Sequence, residues 1–295
     1  MFIAPMLLEK VEQPFIDEAY LWEPKIDGHR LELVHMTGQT KLYTRHHTDC
    51  TSQYPELVSL TFDRDVILDG EVCCVNPASG KVDFELIMER FHTSPSKVLA
   101  AAKRNPIQFV VWDILYFGED LRNVPLIERK KALDTAVSNS PHLVKIPFFE
   151  ADGVSLFEAV KQQGLEGCAA KTKNSLYYSA RRPEWKKLIN YTEATCYISG
   201  YKKDKFGWLV SMPNSLGGLR PVGVVELGVP SAHRKAFYSV AQGIRTGETK
   251  DTVYIDPQIR IKVRFRNWTS RGMLRTPSFV DFVWDISTEQ QKKSG

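Results

Sequence analysis

The run EPKIDGHR, at residues 23–30, combines residue types that could perform covalent chemistry. It sets Lys25 ahead of an aspartate, a glycine and an arginine at fixed offsets, just before the apolar segment 31–34. The glycine permits a backbone geometry or a close approach that a side chain would forbid. A neutral lysine amine can attack phosphorus, and neighbouring cations such as Arg30 and Lys187 would favour that neutral form. The pattern KxDGxR therefore predicts a nucleophilic Lys25 in a tight turn between strands; a charged turn held by an ion pair is the alternative interpretation.

Five further motifs follow in chain order and supply charged or aromatic side chains suited to a nucleotide. Transfer of a nucleotidyl group needs a nucleophile, cations that neutralise phosphate charge, and a slot for the base. Glu71 and Glu166 offer the hard oxygen ligands that Mg²⁺ prefers, and Trp112 offers a π-face for adenine. Each residue alone would more often be a surface charge or a core side chain, so the prediction depends on the ordered set. The motifs are Thr44-Arg45, Leu68-Asp69-Gly70-Glu71, Trp112-Asp113-Ile114-Leu115, residues 166–171 and Trp185-Lys186-Lys187-Leu188.

In this order the motifs resemble those of the covalent nucleotidyltransferase superfamily, and within it the small bacterial and phage ATP-dependent DNA ligases. The resemblance covers nearly the whole chain. It implies that Lys25 accepts AMP from ATP and that Glu23 recognises the adenine amino group. It also implies that Arg30 lies beside the ribose and phosphate end of the nucleotide.

The remaining motifs acquire roles from the same resemblance. Glu71 would serve the ribose or the metal ion, and Glu166 would bind the metal. Trp112 is expected to stack on adenine, while Lys187 holds the α-phosphate and Lys171 also contacts ATP. The implied cofactors are ATP and Mg²⁺ or Mn²⁺.

Nicked double-stranded DNA is the partner that the resemblance implies. AMP would pass from the lysine to a 5′-phosphate, and the 3′-hydroxyl would then displace it and seal the nick. Such an enzyme would act in DNA repair, replication or recombination. The arginine of the second motif, Arg45, is expected to contact the 5′-phosphate. The full set of expected DNA contacts is Asp27, Arg45, Arg182, Lys203 and Lys205.

Two departures from the family pattern affect the expected electrostatics. The fifth motif usually reads W-x-K-x-K, but Ile189 occupies the second lysine position. A phosphate contact made there would have to come from Lys171 or Lys186.

The second departure lies near the C-terminus, where the stretch GMLRTPSF at 272–279 resembles the approach to the family's last motif. The R-x-D that usually follows is replaced by Val283-Trp284-Asp285. In the family this arginine orients the leaving pyrophosphate, so Arg271 or Arg275 is the candidate substitute.

Hydrophobic periodicity predicts a mixed first domain. Thr37-Gly38 separates two strand-like segments and is a hairpin signal, while near-continuous apolar runs indicate buried strands. Ser155 is a candidate cap for a helix that ends at Gly164. The predicted strands are 31–34, 41–44, 66–68 and 109–112, and the predicted helices are 85–91, 126–137 and 154–163.

After about residue 190 strand-like segments dominate, apart from a short helix near 231–243. This pattern is typical of a small β-barrel of the OB kind. We therefore expect an α+β protein, with an adenylation (nucleotidyltransferase, ATP-grasp-like) domain at 1–190 and an OB-fold DNA-binding domain at 191–295. The predicted strands of the second domain are 195–201, 208–212, 221–227, 253–254 and 258–266.

Charge separates the two halves. Residues 191–295 contain 16 lysines and arginines against nine aspartates and glutamates, whereas residues 1–190 contain 23 against 26. The imbalance suggests that the C-terminal half meets a polyanion, although a solvated basic face is an equal alternative.

Composition bounds the class of protein. The 295 residues are 43% hydrophobic and 25% charged, as in a globular enzyme of about two domains. No apolar run approaches the ~20 residues of a membrane span, and a signal peptide is not expected. Five cysteines without CxxC spacing predict free thiols in a reducing compartment. We expect a cytoplasmic monomer that does not bind membranes.

Two alternatives to an ATP-dependent DNA ligase remain, and a third is disfavoured. An RNA-capping guanylyltransferase or an RNA ligase shares KxDGxR, although Glu23 and the stretch 274–277 favour DNA ligases. A decayed ligase that only holds nicked DNA would fit the missing last-motif arginine. An NAD-dependent ligase is disfavoured, because the chain lacks room for an extra N-terminal domain and has no zinc-binding cysteines.

Overall fold

Short apolar strands dominate the chain, and over the described residues they assemble into three sheets. The computed structural model describes residues 1–284. The chain divides into two units, Met1–Asn190 and Tyr191–Gly295, and each has its own hydrophobic core. Within the described range, no helix combines the length and apolarity needed to cross a bilayer.

Sheet 1 of the first unit contains five strands. They are β1 (Leu7–Lys10), β2 (Ile16–Lys25), β8 (Phe149–Asp152), β9 (Gly167–Thr172) and β10 (Arg181–Ile189), in the spatial order β1-β10-β9-β2-β8. Only β1 and β10 run parallel; the other neighbours are antiparallel.

Sheet 2 of the first unit also contains five strands. They are β3 (His29–Met36), β4 (Gln39–Thr44), β5 (Val66–Cys74), β6 (Ile107–Phe117) and β7 (Leu143–Lys145), in the order β4-β3-β5-β6-β7. Thr37 and Gly38 join β3 to β4 with φ values of 50° and 74°. Positive φ at both positions is the geometry that matches the twist of a hairpin, so the predicted hairpin is confirmed.

The helices of the first unit lie where periodicity predicted them, with two short additions. They are α1 (Pro55–Val58), α2 (Phe84–Phe91), α3 (Val98–Arg104), α4 (Leu126–Ala136) and α5 (Gly153–Gln163). The prediction of Ser155 as the cap of α5 is wrong: Asp152 accepts from the backbone N–H groups of Val154 and Ser155. A carboxylate one position before the helix can reach these amides, whereas a side chain inside the first turn cannot. Gly164 ends α5 with φ 65°, as expected.

Strand alternation gives sheet 1 two distinct faces. One face buries Trp22 and Leu188 against α5. The opposite face carries Leu21 and Trp185, which belong to the same apolar cluster as Ile67 of sheet 2. The two sheets therefore share a core, and polar residues in phase with Leu21 line the same side of sheet 1.

The second unit is a curled sheet. Its strands are β11 (Thr192–Lys202), β12 (Trp208–Pro213), β13 (Leu219–Val225), β14 (Arg245–Glu248), β15 (Thr252–Ile255), β16 (Arg260–Phe265) and β17 (Ser278–Phe282). Its helix α6 is Ser231–Ala241 and packs through Phe237 into a core that includes Trp208 and Phe265. The strands β14 and β17 were not predicted, because their residues lack an alternating apolar pattern.

Pairing within the second unit closes a ring. The first half of β11 pairs with β16 and the second half with β15. β12 joins β11 to β13, and β17 pairs with β16. The N–H of Phe279 donates to the carbonyl of Leu227, 3.0 Å away and just beyond β13. The order β11-β12-β13-β17-β16 therefore returns to β11.

All five cysteines are buried as free thiols. Burial raises the pKa of Cys73 and Cys168 to about 12, so these thiols stay protonated and serve in packing. The prediction of free thiols is confirmed.

Candidate active site

Three rows of side chains cross sheet 1 on the face that it shares with sheet 2. The central strand β9 contributes Gly167 and Ala169, so little side-chain volume separates β2 from β10. A Cβ on Gly167 would lie 2.1 Å from the carbonyl oxygen of Leu188, which makes glycine necessary there. The rows are Lys25, Gly167 and Ile189; Glu23, Ala169 and Lys187; and Leu21, Lys171 and Trp185.

Lys25 is the last residue of β2, and its amine is paired with a carboxylate. The Nζ atom lies 2.6 Å from Oε2 of Glu166, whose side chain is 3% exposed. Two predictions need correction. Lys25 ends a strand rather than sitting within the turn, because its backbone continues the pairing with β9 as far as Gly167. Its immediate neighbour is the acid Glu166, whereas the sequence predicted the cations Arg30 and Lys187.

A second carboxylate, Glu71, lies close to this pair. It pairs across the strands with Arg30, and its pKa rises to about 8. Burial is the main cause, Glu166 and Asp27 add repulsion, and Lys25 and Arg30 oppose the rise. Two carboxylates that repel each other are a donor set that a divalent cation would stabilise.

This donor set fits Mg²⁺ or Mn²⁺ only with additional ligands. Among residues 1–284, no group of three or more His, Cys, Asp and Glu side chains is placed to hold one ion. Mg²⁺ commonly binds one or two carboxylates and completes its octahedron with water and substrate phosphates. Glu71 and Glu166 satisfy that requirement.

Asp69 is the centre of a buried network on sheet 2. Its carboxylate accepts from Nε and Nη2 of Arg30 at 2.8 and 2.5 Å. It also accepts from Nε1 of Trp112 at 3.0 Å and from the hydroxyl of Tyr177 at 2.9 Å. A bidentate pair fixes the guanidinium plane, so Asp69 sets the positions of Arg30 and Trp112 relative to each other.

Glu23 is buried between two lysines. It pairs with Lys130, and with Lys171 at 2.7 Å. Burial raises the pKa of Glu23, but the two lysines outweigh it and lower the pKa overall. Burial lowers the pKa of Lys171 to about 8, and its Nζ lies 5.2 Å from the ring centre of Trp112 and 4.3 Å from that of Trp185.

Other predicted residues lie on different surfaces. Lys186 alternates with Lys187 along β10, and its Nζ donates to the hydroxyl of Tyr20 at 2.9 Å. It therefore cannot replace the lysine missing at Ile189, since it projects from the opposite face. The guanidinium of Arg182 lies 4.4 Å from the ring centre of Tyr178.

Arg45 is exposed just after β4, and its Nε donates to Nε2 of His46 at 2.9 Å. It lines a small cavity together with Arg30, Glu32 and Asp69. The expected 5′-phosphate residue thus shares a cavity with the expected nucleotide residue.

Two predicted DNA contacts lie in the second unit, where acids neutralise them. Lys203 pairs with Glu248 at 2.7 Å, and Lys205 with Glu226 at 3.1 Å. Of the last motif, Val283 and Trp284 end the described part of the chain, and Asp285 lies outside the described residues.

Sequence reasoning assigned no role to Asp69, Lys130 or Tyr177. Lys130 follows Arg129 in α4, and both side chains are buried, Arg129 against Asp113 at 2.7 Å. Adjacent cations on a helix usually predict an exposed face, so periodicity gave no signal for their burial. Asp69 was available in the LDGE motif, where an acid inside an apolar strand indicates a buried partner.

Similarity to known proteins agrees with this geometry. The family model described as the ATP dependent DNA ligase domain matches residues 5–188. The SPbeta prophage-derived DNA ligase-like protein LigB of Bacillus subtilis is 37% identical over 281 residues, covering 95% of this chain and 98% of that protein. DNA ligase C2 of Mycolicibacterium smegmatis is 32% identical over 254 residues, covering 81% and 70%.

Solved structures share the mixed α and β fold. The ligase domain of LigD from M. tuberculosis has 25% identity and a TM-score of 0.55, with 95% of this chain and 94% of that chain covered. A Lig E DNA ligase has 16% identity and a TM-score of 0.66, covering 96% and 100%; it supports the fold alone. With a family match over residues 5–188 and relatives above 30% identity, the chain belongs to the ATP-dependent DNA ligase family.

Proposed function

We propose that the protein seals nicks in duplex DNA through an AMP adduct on Lys25. The observation that carries the proposal is the row arrangement of sheet 1. It sets an amine, two carboxylates and the cation Lys187 around a stretch of strand with minimal side chains.

Lys25 Nζ attacks the α-phosphorus of ATP, a P–N bond forms, and the bond to pyrophosphate breaks. Lys187 holds the α-phosphate, and Arg30, fixed by Asp69, lies beside the ribose. Glu71 and Glu166 would hold Mg²⁺ or Mn²⁺, which would supply positive charge against the triphosphate. Lys25 must lose its proton to solvent before its lone pair can attack phosphorus.

The two remaining steps use DNA. An oxygen of the 5′-phosphate attacks the phosphorus of the lysyl-AMP, which breaks the P–N bond and forms a DNA-adenylate. The 3′-hydroxyl then attacks the DNA phosphate, and AMP leaves as the phosphodiester bond forms. Arg45, exposed beside the cavity of Arg30, is the proposed 5′-phosphate contact.

Each unit has a proposed role. The first, residues 1–190, is the adenylation domain, and the second, residues 191–295, is an OB-fold that binds DNA. A five-strand ring with a helix between its third and fourth strands is typical of OB-folds, and the order β11-β12-β13-β17-β16 with α6 between β13 and β16 fits this description. We also propose that the protein acts as a cytoplasmic monomer, with buried reduced thiols supporting the compartment.

A two-stage labelling experiment tests the activity. The protein is incubated with α-labelled ATP and Mg²⁺, freed of nucleotide, and then given nicked duplex DNA. We expect the label to attach to protein, survive acid, and leave as AMP when the nick is sealed. Unlabelled GTP should compete poorly. Equal competition by GTP would support a capping enzyme, and an adduct that DNA cannot discharge would exclude a ligase.

A further inference from the structure

A hydrogen-bonded hairpin links β16 to β17 in the second unit, and we call residues 266–275 the arm. The N–H of Arg266 donates to the carbonyl of Arg275 at 3.1 Å, and that of Thr269 to Met273 at 2.9 Å. Gly272 turns the chain at the tip with φ 69°. The buried Leu274 anchors the arm, since its N–H donates to Val222 of β13 at 2.7 Å. The arm is therefore a structured element of this unit.

The charged side chains of the arm are all of one sign. Its ten residues, RNWTSRGMLR, include three arginines and no acidic residue. Arg271 is exposed near the tip. Elsewhere in the unit, Lys203 and Lys205 each have a glutamate within 4 Å. The net charge of the unit therefore overstates how much positive charge Lys203 and Lys205 can offer to DNA.

Arg220 of β13 is held against the arm by two contacts. Its Nη1 donates to the carbonyl of Gly272 at 2.8 Å, and its guanidinium lies 5.6 Å from the ring centre of Trp268. Trp268 is 40% exposed although it packs edge-on against Phe265, with ring centres 5.0 Å apart. A large aromatic side chain that remains exposed beside a fixed arginine has the chemistry of a nucleic-acid surface.

We infer that the arm and Arg220 bind the sugar-phosphate backbone of duplex DNA, with Trp268 packed against the deoxyribose. The inference rests on the proposed function, because it identifies which face of the second unit meets the nicked substrate. Guanidinium forks match phosphate oxygens better than lysine ammonium groups do. Because Gly272 and Trp268 already fix Arg220, binding a phosphate requires little additional loss of side-chain freedom.

The position of the arm within the proposed OB-fold supports this face. It is the connection between the fourth and fifth strands of the ring, and Arg220 lies on the third strand. OB-folds bind oligonucleotides through the face of their second and third strands and through this connection. Arg220 and the arm thus occupy two parts of one expected binding surface.

The test measures binding of the full-length protein to a labelled nicked duplex whose 3′ end is a dideoxynucleotide, so that sealing cannot occur. Trp268→Ala is expected to weaken binding by about tenfold. Arg220→Ala and Arg271→Ala are each expected to reduce the slope of log affinity against log salt by about 0.9. Arg220→Lys keeps the charge, so it should keep the slope and lose affinity only.

Lys235→Ala is the matched control, because it removes one exposed cation from α6, away from the arm. AMP-adduct formation by each variant reports folding and the first reaction step without DNA. Normal adducts with weakened binding support the inference. If the wild type forms the adduct and seals nicks while the arm variants bind with unchanged affinity and slope, the inference is overturned and the proposed function stands. Absence of an adduct in the wild type would overturn the proposed function itself.

Discussion

Opposite charges hold most side chains of the candidate site in place. Lys25 pairs with Glu166, Arg30 with Asp69, and Glu23 with two lysines. A residue that binds substrate and also balances a buried charge has two roles, so truncating it removes both. Isosteric substitutions are needed to separate them.

Glu23 is the residue at which truncation and isosteric substitution should differ most. Glu23→Ala leaves Lys130 and Lys171 buried without their counter-ion, which costs about 3–5 kcal/mol of stability. Glu23→Gln keeps the shape and an acceptor, so it should melt much closer to the wild type. Both variants should use ATP roughly ten- to a hundredfold less well, since a buried hydrogen bond to the base contributes about 1–3 kcal/mol. Melting temperature and the ATP dependence of adduct formation measure the two effects.

Glu128→Gln is the control for this comparison, because Glu128 pairs with Lys131 on an exposed face of α4. It should leave both quantities unchanged. Unaltered ATP use by Glu23→Gln would show that the carboxylate does not read adenine.

Tyr177→Phe tests the network around Asp69. The variant removes the hydroxyl that donates to Asp69 at 2.9 Å and leaves that acceptor one partner short. We expect Arg30 to be less well fixed and ATP use to fall by about tenfold, with a modest loss of stability. Tyr178→Phe, which alters an exposed neighbour, should behave like the wild type. Equal ATP use by both variants would show that the Tyr177 hydroxyl has no role in ATP use.

At the scale of elements, the sequence predicted four of the five strands of sheet 2 and the three longer helices of the first unit, but none of the strands of sheet 1. The hairpin at Thr37-Gly38 was readable from residue type. The burial of Lys130 and the role of Asp69 depend on contacts between segments far apart in sequence, for which local patterns carry no signal. The motifs supplied the candidate reacting residues, and the ion pairs among those residues became visible only in the fold.

One contact between segments distant in sequence leads us to predict how stability depends on pH. The N–H of Ile3 donates to both oxygens of Glu32 on β3, at 2.9 and 3.2 Å. Burial raises the pKa of Glu32 to about 8, with Asp69 adding repulsion. Between about pH 4.5 and pH 8 the folded protein keeps a proton that unfolding releases, so stability falls as pH rises through this window.

Glu32→Gln cannot titrate, so its melting temperature should decline less than that of the wild type across this window. Thermal melting at the two ends of the window measures the difference. Glu18→Gln, at an exposed glutamate of β2, should follow the wild type. Parallel curves for Glu32→Gln and the wild type would show that Glu32 ionises normally.

At the scale of the whole molecule, the net positive charge lies in residues 191–295, where acids offset part of the charge of the lysines and arginines. Glu226 lies within 4 Å of both Lys202 and Lys205. Glu226→Gln should therefore strengthen binding to nicked DNA by about two- to fivefold at low salt, because exposed ion pairs contribute only ~0.2–1 kcal/mol. The gain should vanish as salt rises. Glu158→Gln makes the same charge change in the first unit, and an equal gain there would mean that only net charge matters.

The central claim is that Lys25 carries AMP, and one measurement addresses it directly. The wild type and Lys25→Ala are incubated with ATP and Mg²⁺, and mass spectrometry of their peptides locates any AMP. We predict one adduct, on Lys25, in the wild type and none in the variant. The variant should still seal a nick that already bears AMP, since the last step does not use the lysine as a nucleophile. An AMP adduct on Lys25→Ala, or on another residue of the wild type, would contradict the account.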